Sequence, residues 1–190
     1  MNITSGRTEA PNNNIGGVKN VYLFDYVEYQ NYLIQTNGAN LISYPNTIVY
    51  KYELRADANT LNEDFETDET GNYYSQSFSF ILKGDFNYTY NPSNLLGKRI
   101  GAIVETRLGN FKILGLKNGC KVTSVKKTTG GSRTDFVGYN IDVECKELNM
   151  SYFITDLNSV GFEVYQELLN FIFQDNNNFT FQDYTNFIFQ

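Results

Sequence analysis

The 190-residue chain carries 15 Phe, 15 Tyr and no Trp, enough apolar side chain to fill one domain, and its net charge is −6. It contains no histidine, which excludes Ser-His-Asp and Cys-His catalytic devices and the Cys/His zinc spacings. Acidic balance, with a pI near 4.7, weighs against nucleic-acid binding.

Residues 1–17 read as a flexible arm, punctuated by Pro11-Asn12-Asn13-Asn14 and Gly16-Gly17. They contain no apolar stretch of the kind a secretory leader needs, and no later run approaches the roughly 18 apolar residues of a membrane-spanning helix. The expectation is a protein made in the cytosol, without a membrane anchor. Val18 to Tyr26 is the first convincing strand. Residues 27–46 read as an irregular connection with a turn at Asn37-Gly38 and a stop at Pro45. Thr47 to Arg55 alternates, with Ile48, Tyr50, Tyr52 and Leu54 on one face and Val49, Lys51, Glu53 and Arg55 on the other.

Residues 56–71 are acidic and poor in apolar side chains, which places them in a long loop outside the core. Tyr73 to Leu82 is a strand with Tyr74, Gln76, Phe78, Phe80 and Leu82 on one face. Asn91-Pro92-Ser93-Asn94 opens a helix of a turn or two, stopped by Gly97. Arg99–Thr106 and Phe111–Leu116 form a hairpin about Arg107-Leu108-Gly109-Asn110. Asn118-Gly119 is a further tight turn into Cys120–Val125, and Gly130-Gly131 breaks the chain before a return strand over Phe136–Lys146. Turn signals every 8–12 residues imply an antiparallel β-sandwich or small barrel with one short helix. That domain is expected to span residues 18–160. Residues 161–190 then form a C-terminal β extension, where Asn170-Phe171-Ile172-Phe173-Gln174-Asp175 recurs at 178–183 and begins again at 186.

Charge is segregated along the chain. Residues 1–97 hold 11 acids and 5 bases, residues 98–146 hold 4 acids and 10 bases, and residues 147–190 hold 6 acids and no base. Two solvated surfaces are the plain reading. The sharper one is self-complementarity, in which Glu63, Asp64, Glu66, Asp68 and Glu69 of one copy meet Lys117, Lys121, Lys126, Lys127 and Arg133 of the next.

Catalytic, metal and cofactor motifs are not found. Asp57, Asp64, Asp68 and Glu69 lack the EF-hand order, no phosphate-loop spacing occurs, and no carboxylate pair is singled out for sugar hydrolysis. The expectation is a non-enzyme without cofactor. Cys120 and Cys145 read as two small buried thiols, with a bridge between them open if their strands are neighbours.

Residues 16–26 and 73–153, about half of the chain, contain Gly16-Gly17-Val18-Lys19-Asn20-Val21-Tyr22-Leu23, Tyr73–Phe78, Leu96–Glu105, Gly115–Gly119 and Asp135-Phe136-Val137-Gly138-Tyr139-Asn140-Ile141. In these stretches, with a closing D-x-x-G-Y strand after a Gly-rich loop, the chain resembles tail tube-like structural proteins of tailed phages and prophages of Bacteroidota. The resemblance implies a virion protein forming hexameric rings that stack into a tube. DNA would pass through without specific binding, and the other partners would be further tail proteins. A tail terminator, a baseplate part or a head–tail connector is the nearest alternative. An adhesin-like module using the C-terminal repeats is another.

Overall fold

The computed structural model describes residues 16–28, 33–54, 58–69, 71–84, 92–132, 135–165, 170–172 and 178–180. Expectations for the N-terminal arm, for Arg133 and for the third repeat at 186–190 lie outside these. In chain order the strands are β1 (Val18–Asp25), β2 (Gln35–Asn37), β3 (Asn40–Ser43), β4 (Thr47–Glu53), β5 (Thr60–Asp68) and β6 (Gly71–Lys83). After a 3-10 turn at Pro92–Leu95 come β7 (Arg99–Thr106), β8 (Phe111–Leu114), β9 (Cys120–Thr128), β10 (Gly138–Glu147) and β11 (Tyr152–Ile154). The short helix α1 (Leu157–Val160) precedes β12 (Phe162–Val164), β13 (Asn170–Ile172) and β14 (Asn178–Thr180).

The fold is mainly β, a curled open sheet forming a half-barrel, as the composition implied. Its hub is β7. One edge of β7 pairs along its length with β1. The other edge takes two partners in succession, β8 opposite Ala102–Glu105 and β9 opposite Arg99 and Ile100. The sheet therefore splits into two wings, β9-β10-β6-β5 and β8-β11-β3-β2, with β4 and β12 behind β1. Most pairings are antiparallel, but β11 joins β3 and β12 joins β4 in parallel.

Two apolar clusters lie on opposite sides of the hub. Val21, Leu23, Ala102 and Val104 face one, with Phe78 and Phe80 of β6 and Ile141 and Val143 of β10. Tyr22, Phe24 and Ile103 face the other, with Val49, Ile113 and Phe162. This double burial explains why β1 and β7 read as near-continuous apolar runs rather than as alternating ones. Phe78, Phe80 and Phe162 are among the largest fully buried side chains, each worth roughly 1.5–3 kcal/mol over leaving it in water.

Several expectations are corrected. The acidic stretch is not a loop. Thr60 to Asp68 pairs residue for residue with β6, from Thr60 opposite Ser79 to Asp68 opposite Gly71. Its charges alternate onto a face open to solvent, so pairing with a long partner overrides the low apolar content. Residues 27–46 contain the β2–β3 hairpin, closed by the anticipated Asn37-Gly38 turn with Gly38 at φ +58°. On β4 the deepest residue is Val49, whereas Ile48 and Tyr50 are exposed, because this strand crosses between the clusters. Tyr52 and Leu54, further along, pack into the first cluster. The main body also runs past residue 160, since β12 pairs with β4 and Phe162 is fully buried.

Two further short elements follow local chemistry. The 3-10 turn begins at Pro92, where the sequence places a helix start. The helix α1, not anticipated, is capped by Asp156, whose carboxylate accepts Ser159 N–H, and ends at Gly161 at φ +118°. The opening residues of the first two repeats, β13 and β14, pair antiparallel, with Phe171 opposite Phe179.

The D-x-x-G-Y segment has a structural job. Asp135 accepts the Gly131 and Ser132 N–H groups, each at 2.8 Å, and folds the Gly-rich loop back. Gly138 then enters β10 at φ +154°, where a Cβ would lie 2.1 Å from the Leu82 carbonyl oxygen. Gly138→Ala is expected to cost roughly 2 kcal/mol or more, read as a lowered midpoint in urea denaturation.

Candidate functional site

The outer face of the β5-β6-β10-β9-β7 wing carries charge in bands. Alternation puts Thr60, Asn62, Asp64, Glu66 and Asp68 of β5 outward, opposite Ser79, Ser77, Ser75, Tyr73 and Gly71 of β6. Beyond them come Asp142, Glu144 and Lys146 of β10, then Ser124 and Lys121 of β9, then Arg99 of β7. The acidic band on β5 and the basic band on β9 lie three strand spacings apart, roughly 14 Å. The serines of β6 and the charged row Asp142, Glu144 and Lys146 of β10 lie between them.

One hydrogen-bonded chain crosses this face. Lys146 Nζ donates to Tyr73 Oη at 3.1 Å, and Tyr73 Oη–H donates to Glu66 Oε2 at 2.6 Å. The Tyr73 hydroxyl, and beyond it Glu66 and Asp68, raise the Lys146 pKa. On the basic side, Lys98, Arg99, Lys121 and Lys146 surround an open cleft of about 510 Å³, with Glu144 the one acid among its lining residues. The Arg99 guanidinium lies 5.6 Å from the Tyr26 ring centre.

The expected charged residues divide. Asp64, Glu66 and Asp68 stand on the outer face of the edge strand, and Glu69 is exposed in the turn that follows. Lys121 and Lys126 stand on the outer face of β9, while Lys117 is exposed at the corner after β8. Lys127 lies at the end of the ladder, 5.7 Å from the centre of the Tyr139 ring. Arg133 lies outside the described residues. The sequence reading leaves out Lys146, although strict alternation after Asn140, Asp142 and Glu144 places it on the outer face.

Glu63 is corrected: it is an internal tie and does not face a partner. It points to the inner side of β5, where Lys112 Nζ donates to it at 2.9 Å. Ser151 donates to the same carboxylate from its N–H at 2.8 Å and its Oγ–H at 2.7 Å. Burial pushes the carboxyl pKa up, but Ser151 and Lys112 outweigh it and hold the group below its usual range. Two more buried polar side chains continue this seam. Gln76 accepts Gly115 N–H and the Cys145 thiol and donates to the Asn149 carbonyl. Glu147 accepts the Lys117 and Asn118 N–H groups at 2.9 and 2.7 Å, while burial raises its pKa. Elsewhere, buried Glu105 takes Lys19, Asn20 and Tyr22. Among the described residues no cluster of three His, Cys, Asp or Glu side chains could hold a metal.

The edge itself is open. Among the described residues β5 ends the sheet, and its far side pairs with no strand. Phe65 is 59% exposed beside Tyr74, with ring centres 5.1 Å apart. Leu148 and Met150, 70% and 53% exposed, lie in the loop whose Ser151 holds Glu63. Compared with protein families, with curated proteins and with solved structures, the chain matches none.

Because the folded carboxyl of Glu63 sits below its ordinary range, its stabilising share is present above that range and fades as acid protonates it. Glu63→Gln is expected to be about 1–3 kcal/mol less stable at neutral pH. The gap to the parent chain should close as pH falls below about 4, read by urea titrations across pH.

Proposed function

We propose that the chain is a structural subunit that assembles with copies of itself and has no catalytic centre. Within that class, the resemblance at residues 16–26 and 73–153 favours a tail tube-like virion subunit whose stacked rings, six copies each, form a channel for DNA. The observation that carries the self-assembly reading is β5. It is a nine-residue edge strand, acidic on its outer face and apolar at Phe65, on the same molecule as a basic band. Long open edges invite pairing with another chain, and charges on them restrict which partner is accepted. Ring closure would hide such an edge. An acidic lumen would repel phosphate and let DNA slide.

The test is light scattering with negative-stain microscopy on the full chain and on Asp64→Lys/Glu66→Lys, which leaves the internal tie at Glu63 untouched. The parent chain is expected to give sixfold rings or hollow tubes. The double variant should stay small at moderate salt. A parent chain that remains monomeric at every concentration would overturn the assembly reading. Normal tubes from the variant would remove the charged edge from it. Single rings that never stack would move the reading to a terminator or connector.

A further inference from the structure

Cys120 and Cys145 have no part in the surface just described, yet the fold sets them face to face. The β9–β10 ladder pairs Val122 with Val143 and Lys121 with Glu144. The next step in that register places Cys120 opposite Cys145. Opposed residues of an antiparallel pair have Cα atoms about 4.5 or 5.5 Å apart, both within the range of roughly 4.4–6.8 Å that a disulfide spans. Both thiols are free and buried. The adjoining Cys145 and burial push the Cys120 thiol pKa well up. The Cys145 thiol also donates to Gln76 Oε1 at 3.2 Å. Gly115 leaves the room Cys120 occupies, since a Cβ there would lie 2.6 Å from its Sγ.

We infer that Cys120 and Cys145 form a redox-reversible cross-strand disulfide that fastens β9 to β10. The co-reactant is a small-molecule disulfide such as oxidised glutathione. The Cys145 thiolate attacks one sulfur of it and releases one glutathione thiolate, leaving a mixed disulfide. Cys120, deprotonated in turn, attacks Sγ of Cys145 and releases the second. Two protein thiols are oxidised, one small disulfide is reduced to two thiols, and the two protons leave with them. Cys145 is the first to react because it retains 6% exposure while Cys120 has none. Both residues belong to the lining of the open cleft between Lys98, Arg99, Lys121 and Lys146, but their thiols are buried in the first apolar cluster on the other side of the sheet. A reducing cytosol leaves such a pair open, and an oxidising exterior closes it.

Refolding the full chain in glutathione buffers stepped from reducing to oxidising removes any limit set by burial. Intact mass, thiol titration and urea midpoints are then read. The expected result is the mass of a single chain lacking two hydrogens, with no thiol left and no retained glutathione. Its urea midpoint should rise by roughly 1–2 M over the reduced chain and return on reduction. The Cys145→Ser variant should show no such rise. A chain that keeps both thiols in the most oxidising buffer, a stable glutathione adduct, or disulfide-linked dimers would overturn the inference.

Discussion

The curl of the sheet depends on three buried polar side chains on one wing. At β7 the sheet divides, and among the described residues no backbone ladder joins β5 and β6 back to β8 and β11. Glu63, Gln76 and Glu147 supply that connection instead. Between them they accept backbone N–H groups from Gly115, Lys117, Asn118 and Ser151, and they hold the Lys112 ammonium. A corner between two strands would otherwise bury donors without partners, at about 1–3 kcal/mol each. The seam therefore fixes where β5 lies and which of its faces meets water. Asp64, Glu66 and Asp68 reach the outer face of this strand, while Glu63, out of phase with them, turns inward.

Much of this architecture is legible in the sequence, for physical reasons that differ from strand to strand. Tyr74, Gln76, Phe78, Phe80 and Leu82 announce β6 by alternation, and four of them are buried. The hairpin at Arg107–Asn110 and the turn at Asn118-Gly119 follow from residues that tolerate tight backbone. What alternation could not show was which side each strand finally presents. Ile48 and Tyr50 lie in phase with Tyr52 and Leu54, but the second cluster takes Val49 from the other face. Likewise Glu63 reads as one more surface acid. Its role depends on Lys112 and Ser151, 49 and 88 residues away, and no local pattern encodes that meeting.

The same limit applies to the charged face. Segregation of acids and bases along the chain is plain in the sequence, but the order β5-β6-β10-β9-β7 decides that both bands share one face. Lys146 joins the basic band through that order, although most of its fellow bases lie well upstream of it. The face thus carries both halves of a complementary pair side by side, with the serines of β6 and the charged row of β10 between them. A second copy shifted sideways, or turned about a two-fold axis, could meet both.

The central claim is that β5 is an assembly edge held ready by the seam. Amide hydrogen exchange of the full chain, measured across a concentration series that spans assembly, tests it most directly. The account expects the Thr60–Asp68 amides that face away from β6 to exchange fast in dispersed protein and to become protected as particles form. Particles that form while exchange along β5 stays unchanged would contradict it.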